Sequence, residues 1–148
     1  RQESRFFNRA KSSAGAVGLM QVMPNTAKSV SKKMDLIFNK NKLASDEKYN
    51  VAIGSQFLNM MLSRFEGSKI LAIASYNAGP FRVQKWCNDF GDPRSKGVDP
   101  LVWIELIPYS ETRNYVKRVM ESEWVYSGKF MGKPKKLNMG RQAFGHQL

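Results

Sequence analysis

The strongest indication of the fold class lies in residues 69–90, KILAIASYNAGPFRVQKWCNDF. The first half of this stretch is apolar nearly all round, so its pattern allows either a buried strand or a buried helix. Its alanine content and the stop at Gly79-Pro80 favour the helix. We interpret PFRVQKWCNDF, which follows, as a second short helix.

Helical patterns precede this stretch. The run Ser45-Asp46-Glu47 is a good helix start, with a capping residue followed by acids at the positive end of the helix dipole. It leads into one apolar stripe at three- and four-residue steps, closed by Gly67. The stripe consists of Val51, Gly54, Phe57, Leu58, Met61, Leu62 and Phe65. Further upstream, MPNTAKSVSKKM is predicted to be a helix with Pro24 in its first turn.

Helical patterns also follow it. The loop GDPRSKGVDP separates it from a short apolar segment, LVWIELI, which Pro108 halts. Ser110 is expected to cap a helix over ETRNYVKRVMESEW. Since no strand pattern is strong, we predict a mainly α fold.

The composition is that of a globular domain with a strong positive charge. The 148 residues include 42% hydrophobic residues, enough to bury a core. The net charge of +12 favours a polyanionic partner, such as nucleic acid, an anionic membrane surface or an acidic cell-wall polymer. No recognised nucleic-acid motif is visible, and the aromatic residues do not interleave with the basic ones as a stacking surface would. No apolar run approaches the roughly 18 residues of a membrane helix.

Thiol and metal chemistry are not expected. Cys87 is the single cysteine, so an internal disulfide is impossible, and it cannot form a zinc site with the lone His146. Its neighbours in VQKWCNDF favour a small buried residue over a nucleophile. We therefore expect neither a metal nor another cofactor.

Five segments, in order, carry a family resemblance. They are RQESRF, SSAGAVGLMQVMPNTA, YNVAIGSQFL, AIASYNAGPFRVQKW and WIELIPYSETRNYVKRV. One such string would be weak evidence, but five with this order and spacing are specific. Together they resemble the catalytic domain of the soluble lytic transglycosylases, glycoside hydrolase family 23 of the lysozyme-like superfamily. We assign residues 1–127 to that domain, with an N-terminal helix that we take to be truncated at Arg1, and residues 128–148 to a basic C-terminal tail.

The resemblance implies a lysozyme-like helical domain with a saccharide-binding cleft, and a reaction. Such enzymes cleave the β-1,4 bond between N-acetylmuramic acid and N-acetylglucosamine in peptidoglycan. The C6 hydroxyl of the muramoyl residue attacks its own anomeric carbon and leaves a 1,6-anhydro end. One carboxyl can act first as general acid and then as general base, and the family position of that carboxyl matches Glu3. Its pKa must be raised by an apolar setting if it is to be protonated near neutral pH.

The resemblance also implies roles for other side chains. Tyr76 matches a tyrosine that hydrogen-bonds the acid and helps to orient it, although a core tyrosine is the ordinary interpretation. Glu111 matches a cleft position, but an acid in the first turn of a helix also gains from the dipole without any catalysis. The full set of expected substrate contacts is Ser12, Met20, Gln21, Met23, Asn77, Glu111 and Tyr115.

Four further residues are expected to support the site. Gly18 allows a tight turn of the backbone beneath the cleft. Asn50 and Gly54 are interpreted as packing residues that support the catalytic helix, and Glu105 as structural.

Two other functions remain open at this point. A hydrolysing muramidase of the goose-lysozyme type would keep the fold, but it needs a group that places a water molecule. A catalytically inactive module that binds peptidoglycan or another polyanion would rely on the charge. The expected partner is the glycan strand of peptidoglycan, with no nucleic acid, and the basic surface favours association with the cell wall or a membrane. We expect a monomer in the periplasm or cell envelope, exported by a targeting segment that is not in this chain.

Overall fold

The computed structural model describes residues 11–131, with side chains described to residue 128. Seven α-helices form in that range: α1 (Pro24–Lys33), α2 (Lys40–Ser45), α3 (Glu47–Arg64), α4 (Lys69–Ala78), α5 (Pro80–Phe90), α6 (Pro100–Leu106) and α7 (Ser110–Met131). Within the same residues the extended pairing is limited to the isolated bridges Lys11–Val17 and Val17–Val22. The prediction of a mainly α fold is confirmed. The chain divides into two compact units, unit 1 up to Met60 and unit 2 from Met61.

Unit 1 has a small core of its own. Buried aliphatic side chains of the loop before α1, of α1, of α2 and of α3 form it: Val17, Val22, Ala27, Val30, Leu43 and Ile53. The hydroxyl of Tyr49 accepts a hydrogen bond from the backbone N–H of Asn39 and pairs with Ser31 Oγ, each at 3.2 Å. Polar contacts therefore fix the segment between α1 and α2 where few apolar groups are available.

Unit 2 is organised around α4, which is buried on nearly every face. Ile70, Leu71, Ala72 and Ala74 are fully buried, as expected for a helix that is apolar all round. It packs against α5 and α7. Gly79, at φ 91°, separates α4 from α5, a backbone conformation that L side chains rarely adopt. The predicted helix, stop and second helix over residues 69–90 are thus all confirmed.

Two helix starts differ from the prediction. Ser45 is the last residue of α2, a helix that the sequence pattern did not reveal, and its Oγ donates to the carbonyl of Asn41 at 2.9 Å. The cap of α3 is Asp46, whose Oδ1 accepts from the backbone N–H of Tyr49 at 3.1 Å. In α7, Ser110 is the first helical residue, and the backbone N–H of Arg113 donates to the carbonyl of Tyr109. A stop one residue before the next start leaves several plausible caps, and neighbouring contacts select among them.

The last helix is longer than its apolar pattern indicated. The predicted domain boundary lay between residues 127 and 128, but α7 continues through Gly128 to Met131. Most of the basic tail, residues 132–148, lies outside the described residues. In the described part of the chain, no helix combines the length and apolar character needed to cross a bilayer.

Cys87 is buried in unit 2, as predicted. Burial raises the pKa of its thiol from 9.0 to about 11, and the negative charge of Asp92 adds to the shift. Because the folded state favours the neutral thiol, the unfolded thiol ionises first as the pH rises. The contribution to stability is therefore complete below pH 9 and is lost as the pH rises toward 11.

We expect Cys87 in the folded protein to react at least about 100-fold more slowly with a thiol-disulfide reagent at pH 8 than in the unfolded chain, because a two-unit pKa shift lowers the thiolate fraction by that factor. Absorbance during reaction with an aromatic disulfide, with and without denaturant, measures both rates. Equal rates would show that the thiol is accessible and unperturbed.

Candidate active site

The predicted site residues fall in three parts of the chain. Glu3 lies outside the described residues, so its role stays a prediction. Four of the predicted substrate contacts belong to unit 1: Ser12, Met20, Gln21 and Met23. The other predicted residues belong to unit 2: Tyr76, Asn77, Glu111 and Tyr115. Each group is described within its own unit.

In unit 1 the site residues lie on a loop that is held by its own polar groups. Ser12 Oγ accepts from the backbone N–H of Ala16 at 3.0 Å, and the Ser12 carbonyl accepts from Gly15 at 3.0 Å. Val17 and Val22 exchange both backbone hydrogen bonds at 3.1 Å. The small residues of this loop therefore form a defined turn, in which Ser12 is a structural acceptor as well as a candidate contact.

Asn50 fixes the turn that carries Met20 and Gln21. Its carboxamide is fully buried, accepts from the backbone N–H of Met20 at 2.8 Å, and donates to the carbonyls of Val17 and Leu43 at 2.9 Å each. Three backbone groups that would otherwise be unsatisfied are thus paired by one side chain. Asn50 supports the predicted sugar-contacting loop directly, a more specific role than general packing.

Gly18 is required by this arrangement on two grounds. Its φ of 77° lies in the left-handed region, and a Cβ there would lie 2.2 Å from Asn50 Nδ2 and 2.6 Å from Asn50 Cγ. Both distances are far below van der Waals contact. The expectation of a tight turn at Gly18 is confirmed, and the close approach of Asn50 is its cause.

Gln21 adopts an uncommon backbone conformation. Its φ is 47°, a region in which non-glycine residues are costly and are often found at functional sites. Its Nε2 donates to the carbonyl of Gly18 at 2.9 Å, which helps to hold the turn. Of the two methionines, Met20 packs partly against the unit 1 core, while Met23 is 41% exposed. Met23 is therefore the more accessible candidate for contact with a ligand.

In unit 2 the predicted polar pair Tyr76 and Asn77 closes α4. Both side chains are partly buried. Thr112, which is 2% exposed, donates from Oγ1 to Asn77 Oδ1 at 2.7 Å. The carboxamide of Asn77 is therefore oriented, and its Nδ2 is the group that remains to donate to a ligand. The sequence analysis did not single out Thr112, although it lies beside Glu111 in the ETRN run.

The other two candidates differ in accessibility. Glu111 is exposed in the first turn of α7, where the helix dipole favours a carboxylate. No described residue forms a salt bridge with it. Tyr115 is only 8% exposed and belongs to the core of unit 2. Any contact of Tyr115 with substrate would therefore involve a small part of its side chain.

The segment before α7 is held by charged groups and aromatic rings. Arg113 Nη1 donates to the carbonyls of Glu105 and Ile107 at 3.3 and 3.1 Å, near the end of α6, and the Glu105 carboxylate pairs with Lys117. Arg82 lies over the Tyr109 ring at 5.4 Å, and that ring makes an edge contact with Trp86. The structural role expected of Glu105 agrees with this pairing.

An apolar groove of about 650 Å³ also lies in unit 2, between α6 and α7. It is lined by Leu101, Val102, Ile104, Met120 and Trp124, together with the charged Glu105, Lys117 and Glu121. It includes none of the predicted site residues. Size and apolar character therefore do not identify the candidate site in this molecule, and we base the site on the polar residues instead.

The described residues contain no group of three or more His, Cys, Asp or Glu side chains that could hold a metal ion. Chemistry at the candidate site is assigned to side chains alone: one carboxylic acid, one tyrosine and several polar groups that can bind a saccharide.

Comparison with known proteins identifies the family. A model described as "Transglycosylase SLT domain" matches residues 1–97. The soluble lytic murein transglycosylase of Escherichia coli K12 is 38% identical over 133 residues, which is 89% of this chain and 20% of that protein. The membrane-bound lytic murein transglycosylase D of the same strain is 31% identical over 121 residues, 80% of this chain and 25% of that protein.

Solved structures give the same result. An inactive mutant of the lytic transglycosylase Slt from Pseudomonas aeruginosa has a TM-score of 0.79 and 39% identity, over 90% of this chain and 21% of that one. The 70 kDa soluble lytic transglycosylase Slt70 of Escherichia coli has a TM-score of 0.81 and 36% identity over the same shares. A complex of the 70 kDa enzyme with bulgecin A has a TM-score of 0.81. The chain spans about a fifth of the length of the soluble relatives that it matches.

Proposed function

Because this chain belongs to the transglycosylase SLT domain family, we propose that it is a peptidoglycan lytic transglycosylase. It cleaves the β-1,4 bond between N-acetylmuramic acid and N-acetylglucosamine and forms 1,6-anhydromuramoyl ends. The observation that carries this proposal is the family match over residues 1–97, which contains Glu3 and Tyr76 in their motifs. The names of the relatives, all murein transglycosylases, support the same substrate.

In the first step, the carboxylic acid of Glu3 protonates the glycosidic oxygen. The bond from that oxygen to the anomeric carbon of the muramoyl residue then breaks, and the N-acetylglucosamine part leaves as an alcohol. Positive charge develops at the anomeric carbon, and the 2-acetamido group of the substrate stabilises it. No second protein carboxylate is needed for this stabilisation.

In the second step, the carboxylate of Glu3 removes the proton from the C6 hydroxyl of the same muramoyl residue. The C6 oxygen forms the new bond to the anomeric carbon, which closes the 1,6-anhydro ring, and Glu3 returns to its protonated form. Water is neither consumed nor released, so the two products together have the mass of the substrate.

The remaining residues bind and orient the sugar. The partly exposed Met23 supplies an apolar surface, while Ser12, Gln21 and the Nδ2 of Asn77 supply polar contacts. The hydrogen bond from Thr112 supports this assignment for Asn77, because it leaves the amide nitrogen facing a ligand with its donors available. Met20, Glu111 and Tyr115 complete the proposed set of contacts.

We expect Tyr76→Phe to lower kcat by about tenfold or more while changing KM by less than about threefold, because the lost hydroxyl orients the acid and not the bulk of the substrate. Initial rates on purified glycan strands, at several substrate concentrations, separate the two constants. Thermal unfolding of the variant serves as the control. An unchanged kcat would make Tyr76 a packing residue.

Mass spectrometry of the muropeptides tests the reaction itself. A transglycosylase leaves muramoyl ends that are lighter by one water than hydrolytic products. Products with the hydrolytic mass would instead establish a muramidase of the goose-lysozyme type. Binding to peptidoglycan without any product would establish an inactive binding module.

The location follows from the substrate. We propose that the protein acts in the cell envelope, in the periplasm, as a monomer whose partner is the glycan strand. The net charge of +12 supports attraction to an anionic wall or membrane surface.

A further inference from the structure

A pocket of about 470 Å³ lies in unit 1, beside the loop that carries the predicted sugar contacts. Its apolar lining includes Val17 and the partly exposed Met23. Its volume is within the range of about 300–1,000 Å³ that is usual for small-ligand sites. The pocket is therefore large enough for a short peptide or a sugar substituent.

The pocket has a distinct charge. Lys11 and Lys40 line it, no aspartate or glutamate does, and neither lysine forms a salt bridge with a described residue. Two further lining residues, Asn25 and Asn41, carry amides that can donate hydrogen bonds. Two unpaired ammonium groups and two amides, next to apolar surface, suit a ligand that combines carboxylates with short aliphatic groups.

The position of the pocket selects among such ligands. Met23 lines the pocket and is also a proposed sugar contact, and Lys11 directly precedes Ser12, another proposed contact. A group bound here would thus be attached close to the muramoyl sugar. In peptidoglycan, the group attached to that sugar is the stem peptide, which is joined through a lactyl ether and carries free carboxylates.

We propose that this pocket binds the carboxylate-bearing stem peptide of the muramoyl residue, and that Lys11 and Lys40 determine a preference for glycan strands that carry acidic stems. This inference rests on the proposed function for the identity of the ligand. Lys11 and Lys40 are specificity-determining residues in it, and neither has a part in the proton transfers.

Substrate preference tests the proposal. We expect the ratio of kcat/KM for stem-bearing strands to that for strands stripped of stems by an amidase to fall about fivefold in Lys40→Gln and about tenfold in Lys11→Gln/Lys40→Gln, as expected for one and two partly screened ion pairs. Lys48→Gln, which removes an exposed charge of unit 1 away from the pocket lining, should keep the wild-type ratio. An equal ratio in all four proteins would overturn the proposal.

A binding measurement separates this proposal from the catalytic one. The probes are N-acetylmuramoyl-L-alanyl-D-isoglutamate and its isoglutamine analogue, which differ by one carboxylate. Calorimetry should show about fivefold tighter binding of the acid to the wild type, and a loss of that difference in the double lysine variant. This result is independent of turnover, so a protein that cleaves neither substrate would refute the proposed function while the probes still decide the inference.

The same measurement distinguishes a general anion site. Short inorganic polyphosphate should displace the acid probe no better than its ionic strength predicts. Displacement at lower concentration than the isoglutamine analogue requires would show that the pocket selects phosphate polyanions, and would overturn the assignment to stem peptides.

Discussion

Replacing Glu3 by glutamine is expected to lower the release of muropeptides from purified peptidoglycan by about 100- to 10,000-fold, because general acid and base catalysis contributes that much to a reaction. The glutamine has nearly the same shape but neither donates a proton to the glycosidic oxygen nor accepts one from the C6 hydroxyl. The measurement is the initial rate of formation of anhydromuropeptides, resolved by chromatography and mass spectrometry.

Two further carboxylates provide matched controls for this result. Glu111→Gln should reduce the rate by about tenfold or less, as expected for a substrate contact that gives no proton to the reaction. Glu121→Gln changes an exposed carboxylate on α7 and should leave the rate unchanged. If Glu111→Gln were the inactive variant and Glu3→Gln the active one, the assignment of the acid would be wrong. Circular dichroism and thermal unfolding show whether each variant is folded.

The largest effect on stability is expected at Asn50. In Asn50→Asp, the carboxylate cannot donate to the carbonyls of Val17 and Leu43, so two hydrogen bonds are lost around a fully buried group. Each unsatisfied partner costs about 1–3 kcal/mol, so the free energy of unfolding should fall by about 3–5 kcal/mol at pH 7. Urea unfolding followed by circular dichroism measures this change.

The pH dependence of the Asn50→Asp variant identifies the cause. Burial beside two carbonyl oxygens raises the pKa of the new carboxyl above about 3.9, its value in the unfolded chain. Because the folded state then favours the protonated acid, the variant should recover stability relative to wild type as the pH falls through the raised pKa, and lose it as the pH rises. Protonation restores one donor, which explains the direction.

Asn59→Asp is the control for this variant, since Asn59 is exposed on the same helix, α3. Its free energy of unfolding should change by less than about 0.5 kcal/mol. Equal losses of stability for the two variants would mean that the buried hydrogen bonds of Asn50 contribute little, and that the loop carrying Met20 and Gln21 is held by other groups.

Much of the fold could be predicted because the relevant signals are local. The apolar run that becomes α4 and the Gly79-Pro80 stop are properties of neighbouring residues, and the structure contains both. The short α2 was missed because its six residues contain a single buried side chain, Leu43, and therefore show no apolar period. The end of α7 was missed because glycine and basic residues follow Tyr126, although the helix continues past them.

The candidate site could be predicted as a set of residue types in motif order, and its support could not. The order of five motifs was enough to name Glu3, Tyr76 and the substrate contacts, since the comparison with a family depends on sequence alone. Thr112 was not predicted, because a threonine beside an acid in a first helical turn is common. Its importance comes from Asn77, which is 35 residues earlier and is brought within 2.7 Å by the packing of α4 against α7.

Gly18 and Asn50 mark the division between the two sources of information. That residue 18 must be a glycine in a tight turn follows from local chemistry, because a positive φ is costly for other residues. That Asn50, 32 positions later, occupies the space of the missing Cβ and binds three backbone groups depends on the folding of α3 against that loop. Dihedral preferences act between neighbouring residues and can be read along the chain. Hydrogen bonds between distant residues exist only once the core has brought them together.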